Sequence, residues 1–290
     1  MPAAAAVPGF WDWSFDVPLL LVSATAILYA AGSRRTFTPR RTRGAQRWRA
    51  VSLYAALGVL AIALSSPLDR LSEQLFWAHM VQHVLLLMVA APLLVLARPW
   101  TRLWHAFPLG FRRPLAGWLS SGRGAAPLRG AAHVLGSPVA GLTLFCAVLL
   151  AWHVPSMFDA TLHSQALHAL EHTLFLLTAV LFFKQVIPSP PLRAELDPPR
   201  CVMYTIVAMT ASWALAVVLA LAPSPLYPTY AHLGSRPWGI SAMADQQIAA
   251  GIMWVPGSIT FLLVIFAYVH RWLMPPAPAT VTTRRLAGEH

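Results

Sequence analysis

Residues 75–97 read LFWAHMVQHVLLLMVAAPLLVLA, 23 consecutive positions without one Asp, Glu, Lys or Arg. A helix needs ~20 apolar residues to cross the hydrocarbon core, and these run on continuously instead of alternating with period two. The stretch therefore reads as a membrane-spanning helix and excludes a strand of an outer-membrane barrel. Working outward, comparable segments lie at 17–31, 50–66, 134–153, 166–187, 201–222 and 248–270, about seven spans in all; the first two are the shortest. Composition agrees. Of 290 residues 57% are hydrophobic and 11% charged, and the mean hydropathy is +0.59, far too apolar for a water-soluble domain. Cys146 and Cys201 fall in different apolar segments and are too few for a disulfide framework. Met1 to Phe10 has no basic n-region, so the first apolar segment reads as a retained span. The expected fold is all-α, a single polytopic helical bundle over residues 1–290. The tail Pro275-Pro276-Ala277-Pro278 reads as a short flexible end.

Charge sets the expected orientation. The stretches 32–49, 98–133, 184–200 and 271–290 hold 7, 6, 3 and 3 of the 21 Lys and Arg, leaving only Arg70 and Arg236 on the other side. Basic residues are retained in the cytoplasm, which puts the N-terminus and the loops after spans 2, 4 and 6 outside and the C-terminus inside. The net charge of +11 and the pI near 11.0 then reflect topology. Seven arginines between Arg34 and Arg49 abut two spans, so anionic lipid head groups are a simpler partner than nucleic acid.

The same topology sorts eleven histidines into an outward set of His79, His83, His153, His163, His168, His172 and His232 and an inward set of His105, His133, His270 and His290. His79 and His83 are four residues apart and share a helix face, as do His168 and His172. His153 closes span 4 in Trp152-His153-Val154-Pro155, and Asp245-Gln246-Gln247 opens span 7. A lone histidine near the interface is more often an interhelical hydrogen-bond partner. Ionisable groups below the interface are costly, however, and five at one depth point to a shared site. His163 and His232 belong to no pair and read as loop residues. Imidazole suits copper, zinc and iron, while a carboxylate or amide can complete or orient the ligand set. Nearby thioethers, Met80, Met157, Met243 and Met253, would favour copper(I) over zinc as ligands. Trp77, Trp152, Trp238 and Trp254 read as belt and packing residues, Met88 and Met209 as fillers, and Pro92, Pro155 and Pro256 as bends or ends of spans. No nucleophile elbow, nucleotide loop or dinucleotide fingerprint is present.

Four motifs in order, HMVQH at 79–83 running into APLL at 91–94, WHVP at 152–155, HALEH at 168–172 and DQQ at 245–247 with GIMW at 251–254, resemble the multi-span CtaG-type cytochrome c oxidase assembly factors of bacteria. The resemblance covers nearly all the spans. The chain does not resemble the single-span copper chaperone that shares the assembly-factor name, whose cysteine motif is missing. What the resemblance implies is maturation of a haem-copper oxidase at the inner membrane, with copper handled by His79, His83, His153, His168 and His172. Gln82, Glu171, Asp245, Gln246 and Met253 would form the surrounding shell. The partners it implies are an oxidase subunit or another copper chaperone, with about one copper per chain and no catalytic turnover required. Three other readings stand beside it: an intramembrane zinc hydrolase using His83, His168, His172 and Asp245; a haem protein with His83 and His172 as axial ligands; and a scaffold whose histidines are structural.

Overall fold

The computed structural model describes residues 7–189, 196–233 and 235–274, and the Pro-rich tail lies outside them. Regular structure there is helical: α1 Val17–Arg35, α2 Arg43–Ser65, α3 Pro67–Ser72, α4 Phe76–Val84, α5 Ala91–Ala97, α6 Trp100–Ala106, α7 Leu109–Ser121, α8 Ala126–Gly136, α9 Pro138–Trp152, α10 Pro155–His163, α11 Gln165–Val186, α12 Pro198–Leu221, α13 Pro228–Ala231 and α14 Ala242–Leu273. Starts follow capping chemistry. Ser137, Ser164, Asp197 and Ser241 accept hydrogen bonds from first-turn N–H groups of α9, α11, α12 and α14. Among the described residues six helical segments are long and apolar enough to cross a membrane, or up to seven if one bent pair is a single span. Their outer faces carry the lipid-compatible side chains, such as Val255, Leu263 and Phe266, all more than 60% exposed.

The expected span at 134–153 is where sequence and structure part. Val134 belongs to α8, and the chain turns by 76° at Ser137 before α9 begins. Pro138 cannot donate backward along a helix and Ser137 caps the new one, which fixes the break. α9 has only 15 residues. It stops at Trp152 because Pro155 holds Val154 extended at φ −64°, ψ 127°. Span 7 differs the other way, since α14 starts six residues before the expected 248 and runs 32 residues. The stretch 98–133, read as a loop, folds into α6, α7 and most of α8.

Span 3 is one continuous helix in three parts, with a π-helical stretch, Leu85–Ala90, between α4 and α5. The span sits at the centre: α14 packs along α4, α2 and α11 flank α5, and the π stretch touches α2, α11 and α14. Pro92 cannot donate to the carbonyl four residues back, and the Thr260 hydroxyl donates to that Met88 oxygen at 2.6 Å instead. α12 lies on α14, and α9 lies against α11 and α12. Gly141 permits the close approach of α9, because a Cβ there would come within 2.9 Å of the Leu181 carbonyl oxygen of α11.

Candidate metal centre

The i, i+4 spacing that pairs the histidines in sequence turns both pairs toward each other across the α4–α11 contact. His79 and His83 on α4 have ring centroids 4.4 Å apart, and His168 and His172 on α11 are 4.2 Å apart. Across the gap His79 lies 5.0 Å from His168 and 5.9 Å from His172, while His83 is 5.4 Å from His172. His153 arrives differently. α9 is so short that its C-cap residue is still inside the bundle, where the His153 ring lies 5.9 Å from that of His83. Glu171 completes the cage, with Oε2 3.6 Å from His79 Nε2 and Oε1 3.6 Å from His83 Nε2. His79 and Glu171 are fully buried, and His83, His153 and His172 nearly so. His79, His168, Glu171 and His172 each offer a ligand atom within 4.8 Å of every other, a spacing that can hold one metal ion.

Hydrogen bonding fixes which nitrogens face inward. His153 Nδ1 donates to the Leu149 carbonyl at 2.7 Å, so its neutral ring presents the Nε2 lone pair. Burial pushes the Tyr230 phenol well above its ordinary pKa, and its hydroxyl donates to the Ser72 carbonyl. His79 Nδ1 must then donate to the Tyr230 oxygen at 3.3 Å, which again leaves Nε2 free. The Nε2 atoms of all five histidines, both Glu171 oxygens and His83 Nδ1 are buried without a hydrogen-bond partner. Such a concentration of unpaired polar atoms around one buried carboxylate would be costly unless a cation joined them.

Of the expected shell, Glu171 and Met253 are at the site, the latter lining a small cavity with His83 and His153. Three others are elsewhere. Gln82 Nε2 donates to the Ala63 carbonyl at 2.7 Å and to Asp69 Oδ1 at 2.9 Å, tying α4 to α2 and α3. Asp245 accepts from the backbone N–H groups of Phe76 and Trp77, both at 2.9 Å, and so caps α4 from another helix. Its oxygens are thereby committed, which weakens its casting as a zinc ligand. Gln246 bridges the Leu226 N–H and the Leu219 carbonyl across the end of α12. His163 and His232 are exposed, each bonded through Nδ1 to the carbonyl four residues back.

The two tyrosines were missed by reading along the sequence. Tyr230 orients His79, and the Tyr227 hydroxyl donates to the His153 carbonyl at 3.1 Å. With Phe76 and Phe158 they form an aromatic roof; Phe158 is 4.9 Å from the His79 ring. The available signal was their spacing around Pro228 in a loop on the histidine side. Such phenols, once buried, need a polar partner.

A bundle of apolar helices enclosing a cluster of histidines and a carboxylate defines a polytopic membrane protein with a polar cage in its interior. The chain belongs to the cytochrome c oxidase caa3 assembly factor family, Caa3_CtaG, whose profile matches residues 27–274. It is also 25% identical over 269 residues to uncharacterized protein Mb0105 of Mycobacterium bovis and, equally, to uncharacterized protein MT0111 of Mycobacterium tuberculosis. The match covers 90% of this chain and 39% of each relative, so the chain spans about two fifths of their length. No solved structure matches it.

Proposed function

We propose that this assembly factor binds copper in the histidine cage and passes it to a cytochrome c oxidase subunit, or receives it from another copper chaperone, at the outer side of the bacterial inner membrane. The observation that carries the proposal is five buried, unpartnered Nε2 atoms, two of them 3.6 Å from the Glu171 carboxylate, with His168 and His172 in the same ligand cluster as Glu171. Neutral imidazoles with adjacent thioethers suit copper(I), and delivery needs ligand exchange but no turnover. Membership of the caa3 assembly family supports an oxidase subunit as the recipient. Anionic lipid head groups are the expected partner at the other end, where Arg35, Arg49, Arg98 and Arg102 line a cavity of about 580 Å3.

Elemental analysis of tag-free protein after copper loading and desalting tests the proposal. Wild type is expected to retain copper and a His83→Ala, His172→Ala double variant to lose it. Equal retention by the two would sink the copper reading.

One observation favours a second reading, the intramembrane zinc hydrolase. An apolar cavity of about 410 Å3 between α1, α2 and α11 reaches His172, so a lipid chain could approach the cage from the bilayer. Zinc in place of copper in the purified protein, with cleavage of a lipid amide or ester lost in His172→Ala, would select it.

A further inference from the structure

One ion at the His79, His168, Glu171 and His172 quartet leaves much of the cage unused. His83 Nδ1 and Nε2 and His153 Nε2 would stay buried without partners. Among the described residues His153 makes ring contacts with His83, Phe158 and Phe175 but with no histidine of the quartet. A separate cavity of about 30 Å3, bounded by His83, His153, Met88 and Met253, adjoins these two imidazoles. That is room for an ion or a single water. Glu171 divides its carboxylate between the two halves, each oxygen 3.6 Å from a different imidazole.

We infer that the cage is dinuclear: one ion held by His79, His168, His172 and Glu171, a second by His83 and His153 with the Met253 thioether beside it, and the Glu171 carboxylate 3.6 Å from one imidazole of each half. The inference rests on the copper reading above and deepens it. The two halves differ in chemistry. Imidazole and carboxylate dominate the first, whereas the second adds thioether and so prefers a soft monovalent ion such as copper(I). The Glu171 carboxylate sets a buried negative charge beside both ions, where it offsets their repulsion. A dinuclear cage also gives incoming copper a place to bind before the resident ion leaves.

The test is anaerobic titration of the full-length, tag-free protein with copper(I) buffered by bicinchoninate, followed by desalting and elemental analysis. Wild type is expected to hold two copper ions per chain, and His153→Ala combined with Met253→Leu to hold one with unchanged affinity. Glu171→Gln, which keeps the shape of the side chain, is expected to weaken both ions by about tenfold or more. A size-exclusion profile matching wild type shows that each variant is folded. One ion in wild type, still one and undiminished in the His153 and Met253 variant, overturns the dinuclear cage and leaves the copper reading standing. No copper in wild type overturns both.

Discussion

Gln82 and His83 are neighbours in sequence with opposite duties. A step of one residue turns ~100° around a helix, so the side chain next to a cage histidine points at α2 and α3. There it meets Asp69, whose carboxyl is pushed up to about 6 from 3.8. Burial is the main cause; Glu73 and Asp16 add to it, while the Gln82 hydrogen bond opposes it. A carboxyl raised on folding contributes stability that is complete below its unfolded value of 3.8 and is lost as pH rises through about 6. Asp69→Asn keeps an oxygen acceptor for Gln82 without the charge. The variant should unfold at a higher temperature than wild type at pH 8 and at the same temperature near pH 4. Thermal unfolding in detergent at the two pH values checks this, and an equal difference at both would refute the assignment.

At the scale of elements, span 3 depends on an exchange between helices: Pro92 withholds a donor from Met88 and Thr260 of α14 supplies one. Thr260→Val leaves that carbonyl without its donor and should cost about 1–3 kcal/mol. Pro92→Ala adds an N–H next to the π-helical turn and close to that carbonyl, and should recover part of the loss in the double variant. A double-mutant cycle from denaturant unfolding would reveal additive effects if the two sites were independent. The apolar spans were legible in the sequence because length and hydrophobicity suffice to define them, and the two histidine pairs because spacing of four fixes a shared face. The duties of Gln82, Asp245 and Gln246 were not legible. Nearness to a motif does not give direction, and each serves a backbone group on another element. Tyr230 is 151 residues from His79 in sequence, a distance that no local pattern bridges. The helices within 98–133 were hidden by their basic residues and prolines, and the break at Ser137 by the apolar residues on both sides of it.

Over the whole molecule, Arg35, Arg49, Arg98 and Arg102 gather at one cavity, at the far ends of the helices from the cage. The orientation read from the basic residues predicts that a cysteine replacing His163 reacts with a membrane-impermeant maleimide in intact spheroplasts, while one replacing Arg123 reacts only after permeabilisation. The reverse pattern would invert the topology and move the cage to the cytoplasmic side. Cys146 is half-buried and Cys201 buried, which keeps background labelling low. The short α9 reaches beyond its own His153. Its 15 residues rise only about 22 Å, against a hydrocarbon core of ~30 Å. Taken alone, α9 falls short of the hydrocarbon core, a mismatch on one flank of the bundle that local thinning of the bilayer would relieve. A thinned flank of that kind would favour other helices too short for the surrounding bilayer, drawn there by the elasticity of the membrane before any side chain makes contact.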